Sequence, residues 1–216
     1  MRFGHLPFTA LLVFASVASG RDKSVLNFPE LGQVSIHAVR AKGRVPYVDF
    51  AAPDGKQLLR LEPETDKFFQ VYDVKDVTGP HIYYGVLHIA GLPDPAVLVV
   101  DRYVFADDCG VTPALVGVWK GRLQVLTPKL PGFETRGGAY LQRGSNARQA
   151  RLTIAAERYQ NKDAHADGPS KMAIYEYTFD TNAGKFVLMK QKEIPTDDLK
   201  VQGEDLLRVI PELGTC

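Results

Sequence analysis

Asp163, His165, Asp167 and Gly168 lie in the run Asn161-Lys162-Asp163-Ala164-His165-Ala166-Asp167-Gly168-Pro169. Their alternate spacing is the one by which a curled loop turns several ligands onto one cation. They match the opening of a D-x-[DN]-x-[DN]-G calcium loop, with His at the middle place. Two features pull against calcium. Imidazole suits zinc better than a hard oxygen site, and the position of the closing bidentate Glu is Ile174. The loop is therefore read as a calcium or zinc site set against a solvated turn, in which Asp163 and Asp167 bond to nearby backbone.

Asp107 and Asp108 form a second acidic pair, beside Cys109. Brought into one cleft with Asp163 and Asp167, at about 5–10 Å, such carboxylates suit the acid–base hydrolysis of a glycoside. Two triplets, Asp101-Arg102-Tyr103 and Glu157-Arg158-Tyr159, repeat an acid, a guanidinium and an aromatic. They serve either as acid–Arg pairs tying neighbouring sheets or as a rim around a ligand. Arg102, Tyr103, Arg158 and Tyr159, with Asp107 and Asp108, are the candidate ligand-binding residues. His37, His81 and His88 lack metal-ligand spacing. No Gly-x-Ser-x-Gly, phosphate-binding Gly loop or His-Glu-x-x-His occurs, so nothing points to a serine hydrolase, a nucleotide site or a metalloprotease.

The N-terminus carries an address. Arg2 precedes the nearly unbroken apolar stretch Leu6 to Val17, and Ala18-Ser19-Gly20 puts small residues at −3 and −1 of a cut before Arg21. This is the pattern of a secretory signal peptide over residues 1–20, and it predicts a periplasmic or extracellular protein. Cleavage takes Arg2 and leaves equal numbers of acidic and basic residues. A neutral chain does not bind nucleic acid or anionic lipid through bulk charge. Nothing after Gly20 is apolar for long enough to span a bilayer as a helix. In an exported chain the two cysteines, Cys109 and Cys216, are expected to pair, fixing a tail read as too polar to dock by burial. The closed loop is about a hundred residues, worth up to roughly 4–5 kcal/mol in the chain-entropy view.

The elements that must position these residues are strands. Period-two alternation from Gln33 onward, broken by turn residues every eight to twelve positions, predicts an all-β domain over 21–216. Short strands are expected at Gln33–Ala38, Val45–Phe50, Gln57–Leu61 and Phe68–Asp73, with a Pro53-Asp54-Gly55-Lys56 turn. Two later stretches look like copies. Ala96–Tyr103, Ala114–Trp119 and Leu123–Thr127 match Leu152–Tyr159, Met172–Tyr177 and Lys185–Leu188, each copy preceded by a strand (Ile82–Ala90, Gly138–Arg143). In each, a polar loop separates the first two strands, and Trp119 is matched to Tyr177. Repeats near 33–74, 82–127 and 138–194 thus predict three antiparallel sheets of about four strands. Residues 195–216 form a tail with a short helix or irregular segment between Thr196 and Arg208.

The strand, polar Asp-bearing loop, aromatic strand Ile174-Tyr175-Glu176-Tyr177, Gly184-Lys185 turn and Phe186-Val187-Leu188 resemble the blade repeats of secreted FG-GAP/VCBS-type β-propellers. The resemblance covers Tyr83 to Ile194. The family's Asp-x-Asp-x-Asp-Gly loop is absent in that form, and three blades are fewer than the four to eight of propellers. A two-sheet sandwich or a barrel is the alternative architecture. The resulting reading is an exported, non-enzymatic binding domain that recognises an envelope, carbohydrate or protein ligand through a loop-rich edge. The alternatives are a small hydrolase acting on envelope polymers through its acidic loops, and a purely structural module.

Overall fold

A computed structural model describes residues 23–39, 46–62, 82–89, 92, 95–105, 108–134, 136–144, 146–159, 169–210 and 213, without the side chains of 103–105 and 108–109. The first sheet contains β1 (Lys23–Phe28), β2 (Gly32–Val39), β3 (Tyr47–Ala51) and β4 (Gln57–Leu61). The second contains β5 (Ile82–Leu87), β6 (Ala96–Phe105), β7 (Asp108–Trp119) and β8 (Arg122–Val125). The third contains β9 (Gly138–Gln142), β10 (Arg151–Arg158), β11 (Lys171–Asp180), β12 (Lys185–Pro195) and the short β13 (Glu204–Asp205). Every pairing is antiparallel, and the first four strands of each sheet form a meander in chain order. The protein is all-β, and none of the sheets closes into a barrel.

Burial explains how the sheets stack. Ala96 to Val100 on β6 are all fully buried, the mark of a strand covered on both faces. Val97 and Val99 pack with Ile36, Val48, Phe50 and Leu61 of the first sheet. Leu98 and Val100 pack with Leu152, Ile154, Tyr175 and Phe179 of the third. The second sheet is therefore the middle layer of three, and the two-sheet sandwich alternative does not hold. The first sheet has one wet face, where Arg60 donates to both carboxylate oxygens of Asp49 (2.6 Å each) and covers the Tyr47 ring. Such alternation of buried and exposed positions is what an end layer requires.

Corresponding ends lie together. The Gly121 N–H of the β7–β8 turn donates to Glu30 in the β1–β2 turn. Gln124 Nε2 reaches the Gly184 carbonyl of the β11–β12 turn (2.9 Å), and Trp119 stacks edge-on to Phe179 at 5.2 Å. Strand alternation then sends the β2–β3, β6–β7 and β10–β11 connections to the opposite edge of the stack. Among the described candidate residues, Arg102, Tyr103, Asp108, Arg158 and Tyr159 lie toward that loop edge by their strand positions.

Several local expectations change. β1 was not expected: its outward Val25 and inward-leaning Ser24 hide the alternation of Leu26 and Phe28. The expected strand Phe68–Asp73 lies outside the described residues. The polar loop of the first copy shrinks to residues 106–107, because β6 and β7 pair as far as Phe105 with Asp108, and Cys109 lies on a strand opposite Val104. Arg102 lies opposite Val111 and Arg158 opposite Lys171, so the same register puts Trp119 with Phe179 rather than Tyr177. Between Thr196 and Arg208 there are two 3-10 turns, Thr196–Asp198 and Leu206–Val209, separated by β13.

The tail, expected to be too polar to dock by burial, does dock by burial. Leu206, Ile210 and Leu213 are buried in the core between the second and third sheets. Glu204 and Asp205 pair with Leu141 and Tyr140 of β9. Gly85 on β5 makes room for the tail: a Cβ there would come within 2.7 Å of Val209. On the other face of the third sheet, Ile194, Leu199 and Val201 cover Met172 and Ile174. The long edge strand β12 is guarded by Lys185, Lys190 and Lys192 and by a register shift at Glu176/Tyr177, although Leu188 and Met189 stand exposed.

Candidate ligand-binding edge

Arg102 and Arg158 lie toward the loop ends of the inward-facing rows of two adjacent sheets. On β6 the row toward the third sheet is Leu98, Val100, Arg102; on β10 the row toward the second is Leu152, Ile154, Ala156, Arg158. Both guanidiniums thus stand on facing surfaces at the loop edge. Arg102 Nη1 donates to the Leu213 carbonyl at 2.6 Å, anchoring the tail. Arg158 Nη2 donates to the Tyr175 hydroxyl, with its guanidinium 5.9 Å from that ring. Lys171, directly opposite Arg158, lies 3.6 Å from Glu193. Arg102 and Arg158 are each held by a neutral oxygen, and Lys171 by the carboxylate of Glu193.

The acids of the two triplets behave differently, for a simple reason. Neighbouring strand residues point to opposite faces, so neither acid can share its Arg's surface. Glu157 accepts the backbone N–H groups of Glu134 and Arg136 at 2.7 Å each, clamping the connection that leads to β9. The Tyr159 hydroxyl donates to Glu134 at 3.2 Å on the same side. Among the described residues, no hydrogen bond or ion pair joins Asp101 or Glu157 to an arginine side chain, as the expected acid–Arg pairing would require.

Asp101 faces the first sheet and is 4% exposed. Burial pushes its carboxyl up to about 7, because water is removed from the charged form. Thr112 stands opposite it on β7, fully buried, its hydroxyl without a hydrogen-bond partner among the described residues. This buried polar pair was not picked out from sequence. The readable sign was an Asp ending the apolar run Ala96–Val100.

Among the described residues no three His, Cys, Asp or Glu side chains gather as a metal site. The metal candidates Asp163, His165 and Asp167, the acid Asp107 and the cysteine Cys216 lie outside the described residues. Asp108, Tyr103 and Cys109 are placed by their backbone on β7, β6 and β7 respectively.

No family model, curated protein or solved structure matches the chain. Function has to be argued from the edge itself. Among the described residues no helix is long and apolar enough to cross a membrane.

Proposed function

We propose that this chain is an exported binding module whose ligand, an envelope component, a carbohydrate or a protein, is taken at the loop edge between the second and third sheets. The observation that carries the reading is the pair Arg102 and Arg158, presented on facing surfaces of layers whose strands are buried beneath them. Rigid strands with adaptable connections at one end are a common basis of recognition. The meander order of the three sheets is compatible with the blade-like resemblance of Tyr83 to Ile194. Chemical-shift mapping with envelope glycan fragments and soluble polysaccharides is expected to give changes confined to the ends of β6, β7, β10 and β11. Changes confined to the turn edge around Gly121 and Gly184 would overturn the proposal.

The same reading includes export by residues 1–20 and a Cys109–Cys216 bridge. Support for the bridge comes from Leu213, held by Arg102 near the start of β7, where Cys109 lies two residues before Val111. The bridge requires the three residues after Leu213, which span at most about 10 Å, to reach Cys109. Thiol titration of the oxidised, denatured protein is expected to find no free sulfhydryl. Two reactive thiols per chain would remove the bridge from the account.

A further inference from the structure

We infer that Met189 is an oxidant-reactive site, at which a peroxide transfers oxygen to the thioether of the folded protein while Met172 stays shielded. The chain has three methionines, and Met1 lies in the segment read as an export signal, outside the described residues. The other two sit on adjacent strands of the third sheet and differ completely in burial. Met172 on β11 is 0% exposed, packed with Ala155 and Ile174 beneath Ile194, Leu199 and Val201. Met189 on β12 is 67% exposed.

The pairing of β11 with β12 turns Met189 outward. Tyr177 lies opposite Leu188 and Glu176 opposite Lys190, so Met189 is the extra residue of a bulge, with no cross-strand neighbour on β11. Among the described residues no strand pairs with the other side of β12, the edge of its sheet. A small neutral oxidant reaches a thioether so placed without any opening of the fold. The reaction is a two-electron oxygen transfer. Sulfur takes one oxygen of hydrogen peroxide and is oxidised to the sulfoxide; the peroxide is reduced, and its second oxygen leaves as water. At Met172 the oxidant has to wait for a local opening of the sheet, and the product would put a polar oxygen into a packed cluster. At Met189 the new oxygen meets water. It also adds a polar group beside Lys190, where Leu188 and Met189 interrupt the guarded edge. Oxidation at this position therefore leaves the fold intact and makes the edge less apolar.

The test exposes the folded full chain to hydrogen peroxide and follows the products by peptide mass spectrometry. The peptide holding Met189 is expected to gain about 16 Da at a rate near that of free methionine, and the Met172 peptide about tenfold or more slowly. In urea the two should react at the same rate, which places the selection in the fold rather than in the neighbouring sequence. Met189→Leu is expected to leave the sheets unmodified over the same period. The protein oxidised at Met189 alone should keep its melting temperature within about 2 °C, as surface changes do. Comparable rates at the two methionines in the folded chain, or a difference that persists in urea, would overturn the inference. A melting temperature lowered by several degrees would overturn the separation of Met189 from the fold.

Discussion

Asp101→Asn is expected to raise stability at pH 8 by about 4 kcal/mol and to leave it nearly unchanged at pH 4. The carboxyl sits at about 7 in the folded protein, against an ordinary value of 3.8. Below the unfolded value both states hold the proton, and the group costs nothing. Between about 4 and about 7 the folded state keeps a proton that the unfolded chain releases, so stability falls as pH rises. Above 7 the full cost is present, about 3 pH units at about 1.4 kcal/mol each. Urea unfolding of both proteins at several pH values measures the difference. The wild type should lose stability across that window relative to the variant; parallel curves would mean that Asp101 is solvated or paired in solution.

Gly184→Ala is expected to cost about 2–5 kcal/mol, a large part of the stability of an ordinary domain. Two causes add. Gly184 has φ of +65°, where an L residue is strained by about 1–2 kcal/mol. Its added Cβ would also run into the Trp119 indole, and overpacking costs about 1–3 kcal/mol. Gly55 supplies the control, since its φ is +82° and nothing lies within 4 Å of a Cβ placed there. Gly55→Ala should therefore show the strain alone. Denaturant midpoints with tryptophan fluorescence separate the two effects, and equal losses at both glycines would remove the packing contribution. Trp119 joins Phe179 and Phe186, whose rings meet edge-on at 5.3 Å, so the damage would fall on the seam between the second and third sheets.

The parts of the fold legible in sequence were those governed by local rules. Asp54-Gly55 marked a tight turn, and alternation marked β2, β3 and β4. The repeat between Ala96–Trp119 and Leu152–Tyr177 located equivalent hairpins of two sheets. What stayed hidden depended on partners distant in the chain. β1 carries an outward Val25, so its pattern is legible only beside β2. The tail's apolar residues are scattered among polar ones, yet Val209 and Ile210 fit against Gly85, and Leu206, Ile210 and Leu213 are buried in the core. For the site, the two Arg-Tyr repeats were found from residue type, but their reading as acid–Arg pairs overlooked the strand alternation that separates each acid from its Arg. The burial of Asp101 was not readable, because it depends on how the first sheet lies over the second.

The docking of residues 204–213 also bears on when the protein can finish folding. The four-strand meander of each sheet forms from neighbours in sequence, and hairpins of this kind close quickly. The core between the second and third sheets includes Leu206, Ile210 and Leu213, which follow both sheets in the chain. During synthesis those two layers therefore emerge with their seam unsealed, and the last rigid contacts wait for the tail. A chain halted before Leu206 should retain its strands while its Tyr83 and Tyr175 neighbourhoods stay open to water. Until the tail arrives, the core between the second and third sheets lacks those three side chains.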